Sequence, residues 1–179
     1  MINKFRQEIL KLNNKSQVDK KISKKFLERL SLGRLIKQQN PADHFCSFFL
    51  PIDIKSKSIY LGHHIKADDW IPPGGHINPN ETPLDTVKRE FTEELRYELN
   101  KEKVELFDLT IKNVSGNPKH KCKVHYDFWY LVYINKFAFK FDKSEFYQAE
   151  WLSIPDALKR MKLVKYANVI KKLFKKGLE

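Results

Sequence analysis

Three glutamates, Glu90, Glu93 and Glu94, stand at i, i+3 and i+4, a spacing that places three like charges side by side on a helix. Crowding of that kind calls for a cation. A like-charge pair costs an isolated helix only roughly 0.2–0.5 kcal/mol, so a solvated acidic face also accounts for the trio taken alone. The surrounding spacing is more demanding: Gly74-Gly75 and Glu81 precede the trio, and Arg89 lies four residues before Glu93, where its guanidinium can hold the carboxylate in one orientation or form a plain surface ion pair. Carboxylate oxygens without a cysteine or histidine cage suit a hard cation, and Mg²⁺ takes octahedral oxygen coordination while keeping several waters.

A helix must carry these groups. Thr82 is a good N-cap, Pro83 fits the first helical position, and Asp85, three residues after the cap, favours the positive end of the dipole. Leu84, Val87, Phe91 and Leu95 form an apolar stripe at helical spacing, which gives the helix a core side and leaves the glutamates off it. Leu99-Asn100 offers a late helix end, with Arg96 suited to the negative end of the dipole.

Two more amphipathic helices are predicted before the carboxylates, from Ile2, Phe5, Ile9 and Leu12 and from Val18, Ile22, Phe26 and Leu30. Strand-like segments follow at 44–52, 58–64, 103–114, 123–134 and 148–152, and late helices at 155–161 and 165–175, the last with Ala167, Ile170 and Phe174 at helical spacing. The segment 124–134 is largely apolar or aromatic on both alternating faces, as in a central strand covered on both sides. An α/β class with an α/β/α sandwich around a mixed central sheet follows. Residues 1–40 form a helical N-terminal extension, and residues 41–179 form the main domain with its C-terminal helices.

As a whole, Gly75-x5-Glu81-x7-Arg89-Glu90-Phe91-x-Glu93-Glu94-x-Arg96-Tyr97 resembles the Nudix box, the signature of hydrolases that cleave nucleoside diphosphates linked to another group. Arg96 stands where the family pattern has glycine. The segment from Leu61 to Lys66, then Trp70-Ile-Pro-Pro-Gly74-Gly75-His76, together with His125-Tyr126-Asp127 and Glu150-Trp151, extends the likeness over about residues 44–155. The resemblance implies that Glu90, Glu93 and Glu94, with the carbonyl of Gly74, hold Mg²⁺, with Mn²⁺ as a substitute. It implies a positioning role for Arg89 and structural roles for Gly75 and Glu81. It also implies a general base from a loop before the last sheet strand: Glu145 is preferred, with Glu150 and Glu93 as alternatives. Pyrophosphate repels an attacking water, so cations that neutralise its oxygens and lower the water's pKa are what this chemistry needs.

On the substrate side, His63, His64 and Lys66 are candidates for phosphate, Trp70 for stacking on a base, and Lys119 to Lys123 for a phosphate-facing hairpin tip. Each has a structural alternative, including a solvated turn after Asn117-Pro118.

At 179 residues, 41% of them hydrophobic, the chain can bury one sizeable core without disulfides. Cys46 and Cys122 show no CxxC or other ligand spacing, which makes them packing residues in a reducing compartment and points to the cytoplasm. No apolar run reaches the roughly 20 residues that span a bilayer. The net charge of +12 sits in the ends: residues 1–40 carry 11 basic and 3 acidic side chains, residues 156–179 carry 8 and 2, and the middle carries 15 and 17. Basic ends attract polyphosphates or RNA. They also follow from a lysine bias, since 28 of the 34 basic residues are lysine. The expectation is therefore a Mg²⁺-dependent pyrophosphohydrolase acting on a small nucleotide or nucleotide sugar. The alternatives are an RNA 5′-end pyrophosphohydrolase and a Nudix-fold binding module without catalysis. The resemblance also implies a candidate homodimer, since many relatives are dimers, and the N-terminal helices offer an interface for one.

Overall fold

The computed structural model describes residues 2–13, 19–114 and 121–174, in two compact units. Val18, Asn117, Pro118, Lys119, His120 and Lys175, with the side chain of Phe174, lie outside the described residues. No helix among those described is long and apolar enough to cross a membrane.

The first unit comprises Met1–Phe48, Gly75–Val87 and Leu106–Tyr130. Its two leading helices, α1 (Ile2–Asn13) and α2 (Lys20–Ser31), are those the periodicity predicts. Phe5, Ile9 and Leu12 are buried from α1, and Phe26 and Leu30 from α2. Both helices pack on the starts of β1 (Asp43–Asp53) and β6 (Val124–Tyr133) through an aromatic cluster: Phe5 and Phe26 each meet Phe45 and Phe128 at ring separations of 5.4–5.7 Å. β5 (Lys103–Asn113) neighbours β6, and β4 (Gly74–His76) pairs with β1.

Arg29 interrupts the apolar face of α2 and is itself buried. Its guanidinium donates to the carbonyls of Gly33, Arg34 and Asp43 at 2.8–2.9 Å and to the Asp43 carboxylate. One side chain thus satisfies the chain leaving α2 and fastens it to β1.

Helix α3 (Pro83–Leu95) begins in this unit with the expected cap. Asp85 N–H donates to Thr82 Oγ1 at 3.1 Å and Thr82 N–H donates back to the Asp85 carboxylate at 2.9 Å, a reciprocal box that satisfies the first turn.

The second unit comprises Phe49–Gly74, Lys88–Glu105 and Leu131–Glu179. β2 (Ser58–His64) pairs antiparallel with the end of β1, with β3 (Asp69–Ile71) and with β7 (Phe146–Ser153). β3 and β4 are three residues each, too short for a periodic signal to register. At Gly62 the Phe146 ring lies so close that an added Cβ would sit 2.2 Å from it. The far end of α3 packs on β1 through Phe49 and Phe91, stacked at 4.8 Å. The chain closes with α4 (Ile154–Arg160) and α5 (Val164–Phe174).

One expectation is corrected here. The helix does not run on to Leu99-Asn100; it stops at Leu95, and Arg96 takes the left-handed conformation at φ 53°. The backbone there takes a conformation that glycine adopts freely, despite the Cβ of Arg96. The strain is opposed by local contacts: Arg96 N–H donates to the Thr92 carbonyl at 3.1 Å, and its guanidinium reaches the Asp142 carboxylate at 2.7 Å.

Candidate active site

The second unit brings together Gly74, Arg89, Glu90, Glu93, Glu94, Lys66 and Glu145. Helix α3 sets the trio: Val87, Phe91 and Leu95 are fully buried and Leu84 half-buried, so the helix is rotated with its glutamates off the core stripe. Arg89 takes two of them from one nitrogen, at 2.9 Å from Glu90 and 2.8 Å from Glu93. Glu93 is exposed, Glu90 is largely covered, and Glu94 is buried at 6% exposure.

Glu94 is the electrostatic centre. Its carboxylate accepts the Gly74 N–H at 2.8 Å. Gly74 stands at φ 137°, a conformation glycine adopts freely, so the backbone can aim this amide at the helix. Burial pushes the Glu94 carboxyl well above its usual value, and the charges of Glu90, Glu145 and Glu93 push the same way against the Gly74 hydrogen bond. A buried carboxylate facing three others either holds a proton or shares a cation. This oxygen-only donor set fits a hard divalent ion.

Glu145 is held through both its backbone and its side chain. Its backbone carbonyl accepts the Ile65 N–H at 2.8 Å, and its carboxylate lies 3.2 Å from Lys66 Nζ and 3.4 Å from His64 Nε2. His64 Nδ1 accepts the Ala67 N–H at 3.2 Å, which in the neutral ring leaves Nε2 as the donor toward Glu145. The loop before Glu145 is fastened to the end of α3 by Asp142, whose N–H donates to the Glu94 carbonyl at 2.7 Å and whose carboxylate takes Arg96. Asp142 escaped the sequence reading. The Asp142-Lys-Ser144 turn was the available signal, and it closes with Ser144 N–H on Asp142 Oδ1 at 2.8 Å.

His63 and Trp70 form a neighbouring cluster of their own. Their rings stack at 5.7 Å, Arg160 lies 4.6 Å over Trp70, and His63 also meets Tyr147 and Asp68. Arg160 in turn reaches Glu150 at 2.5 Å. A groove of about 790 Å³ in the same unit is lined by Ile52, Tyr97, Glu102, Tyr133 and Phe137 among others.

Gly75 and Glu81 belong to the first unit. There the Glu81 carboxylate accepts the Asn78 N–H at 3.0 Å and the Thr86 hydroxyl at 2.8 Å, tying the loop to the first turn of α3.

Comparison with known proteins adds to this geometry. The family model of the NUDIX domain matches residues 48–173. A Lactococcus lactis subsp. cremoris (strain MG1363) protein named "Probable DHNTP pyrophosphohydrolase" is 28% identical over 119 residues, covering 64% of this chain and 69% of its own. Among solved structures, the E. coli dihydroneopterin triphosphate pyrophosphohydrolase superposes with a TM-score of 0.65 at 14% identity, over 72% of this chain and 92% of that one. The C. elegans Ap4A hydrolase in a binary complex gives 0.61 at 16% identity, over 72% and 93%. The mixed sheet with its helices, expected from the sequence pattern, is the fold of both.

Proposed function

Because the chain belongs to the Nudix family of hydrolases, we propose that it is a Mg²⁺-dependent pyrophosphohydrolase that directs water at the phosphoric anhydride bond of a small nucleotide-type substrate. The observation that carries this reading is the gathering of Glu90, Glu93 and Glu145 around the buried carboxylate of Glu94. Magnesium held by Glu90, Glu93, Glu94 and the Gly74 carbonyl would supply neutralisation of the phosphate oxygens and a lower pKa for the attacking water.

The chain's own residues do the rest. Arg89 keeps Glu90 and Glu93 from splaying apart. Glu145 takes the proton of the attacking water, with Lys66 and His64 aligning its carboxylate. Lys66, exposed beyond Glu145, is also free to turn to a phosphate.

The named activity of the Lactococcus relative and of the E. coli structure makes dihydroneopterin triphosphate the first substrate to try. The Ap4A hydrolase makes dinucleoside polyphosphates the second. The test is phosphate or pyrophosphate release from these, from nucleotide sugars and from 5′-triphosphate RNA, with Mg²⁺ or EDTA, for wild type and Glu145→Gln. Expected is Mg²⁺-dependent turnover on a small substrate, with kcat reduced by about 10²–10⁴ in the variant and KM nearly unchanged. Mg²⁺-independent release, or a variant with wild-type kcat, would sink the mechanism.

A further inference from the structure

Within the first unit, three histidine rings meet: His44 lies 4.9 Å from both His76 and His125, and His76 lies 5.3 Å from His125. Cys46 completes the group. One donor atom from each of His44, Cys46, His76 and His125 falls within 4.8 Å of every other. The four come from β1, β4 and β6, strands that lie side by side in this unit.

Three details distinguish the cluster from ordinary core packing. Both ring nitrogens of His125 are shut off from solvent without a hydrogen-bond partner among the described residues, and a buried polar group left so costs about 1–3 kcal/mol. His44 Nδ1 faces the Asn40 carbonyl at 3.0 Å, an outer contact that fixes the tautomer and turns Nε2 toward the cluster. Asp127 is buried on β6 two residues from His125, which puts a carboxylate beside the cluster.

We infer that His44, Cys46, His76 and His125 form a closed structural site for a zinc-class cation, separate from the carboxylates of α3. Imidazole and thiolate donors select zinc over magnesium, and four protein ligands leave no open position. Zn–N distances of about 2.0–2.1 Å and Zn–S of about 2.3 Å place tetrahedral donors some 3.3–3.6 Å apart. From the 4.8 Å within which the donors now lie, the widest pair therefore needs to close by up to about 1.5 Å, within reach of side-chain rotation. On binding, the Cys46 S–H bond breaks, the sulfur joins the metal and the proton leaves to solvent. The resulting site charge of +1 faces Asp127. His125 gains the partner it lacks, and the three strands are pinned at one point. Cys122 sits beside the site, its Sγ 3.8 Å from His44 Nε2 and 4.0 Å from His76 Nε2.

The experiment is metal content by mass spectrometry of the full chain loaded with one equivalent of Zn²⁺ and dialysed, together with cobalt substitution followed by absorbance. Expected is one tightly held zinc per chain, and with cobalt the strong visible bands of a tetrahedral site plus a thiolate charge-transfer band. Cys46→Ala removes the charge-transfer band, Cys122→Ala keeps it, and His125→Gln lowers zinc retention at least tenfold, with circular dichroism confirming that each variant folds. Wild-type protein that emerges zinc-free, or that gives only the weak spectrum of octahedral oxygen coordination, overturns the site whatever the variants do. A charge-transfer band lost with Cys122→Ala instead overturns the assignment of Cys46.

Discussion

At the scale of single residues, Arg96 and Glu94 carry opposite kinds of stress. Arg96 holds a left-handed backbone that costs a residue with a Cβ roughly 1–2 kcal/mol. Arg96→Gly is expected to relieve that strain while giving up the Asp142 contact, for a net change within about 1 kcal/mol. Arg96→Val, β-branched at the same φ, should lower the melting temperature clearly below both. A valine variant as stable as wild type would mean that the backbone had relaxed.

Glu94 is stressed electrostatically. With its carboxyl raised above the usual 4.5, the folded chain in EDTA keeps a proton that the unfolded chain releases. Stability therefore falls as pH climbs from about 4.5 to the folded value. Chemical denaturation against pH should show that decline in wild type, a flatter profile in Glu94→Gln, and recovery on adding Mg²⁺ to wild type alone. The spacing of Glu90, Glu93 and Glu94 was legible in the sequence because a helix converts spacing directly into adjacency. The contacts of His64 and Lys66 with Glu145, across 79 residues for the lysine, were not, because tertiary packing alone makes them.

At the scale of elements, periodicity and capping located the helices well. The Thr82–Asp85 box and the stripe of Val87, Phe91 and Leu95 are local signals, so the start of α3 and its buried face could be read before any fold was known. Its end could not, because stopping at Leu95 depends on a left-handed arginine supported by Asp142 from a distant loop. Arg29 was equally hidden: its type reads as surface, yet it is the fastening between α2 and β1. Arg29→Met keeps the apolar stem and strands the carbonyls of Gly33, Arg34 and Asp43. A loss of about 3 kcal/mol in denaturant unfolding is expected. A change below about 1 kcal/mol would show that water replaces the guanidinium there.

At the scale of the whole molecule, the carboxylates of α3 fall in one compact unit and the histidine–cysteine group in the other. The first group was visible as a contiguous motif. The second was invisible, because its ligands are scattered over three strands and Cys46 has no neighbouring cysteine to suggest a cage. The charge of +12 was plain from composition, but composition cannot say whether it serves a ligand. Ionic strength can. For a small triphosphate, kcat/KM should decline gently with salt, through encounter alone. A steep linear fall of log affinity with log salt, on an RNA substrate, would favour the RNA reading.

The Phe146 ring over Gly62 bears on how this fold can change. A methyl at position 62 has no room while the phenyl stands, whereas a smaller residue at 146 merely opens space. The two positions therefore form an ordered pair: laboratory evolution of the β2–β7 contact can pass through a trimmed 146 and then an enlarged 62, and the reverse path is closed at its first step.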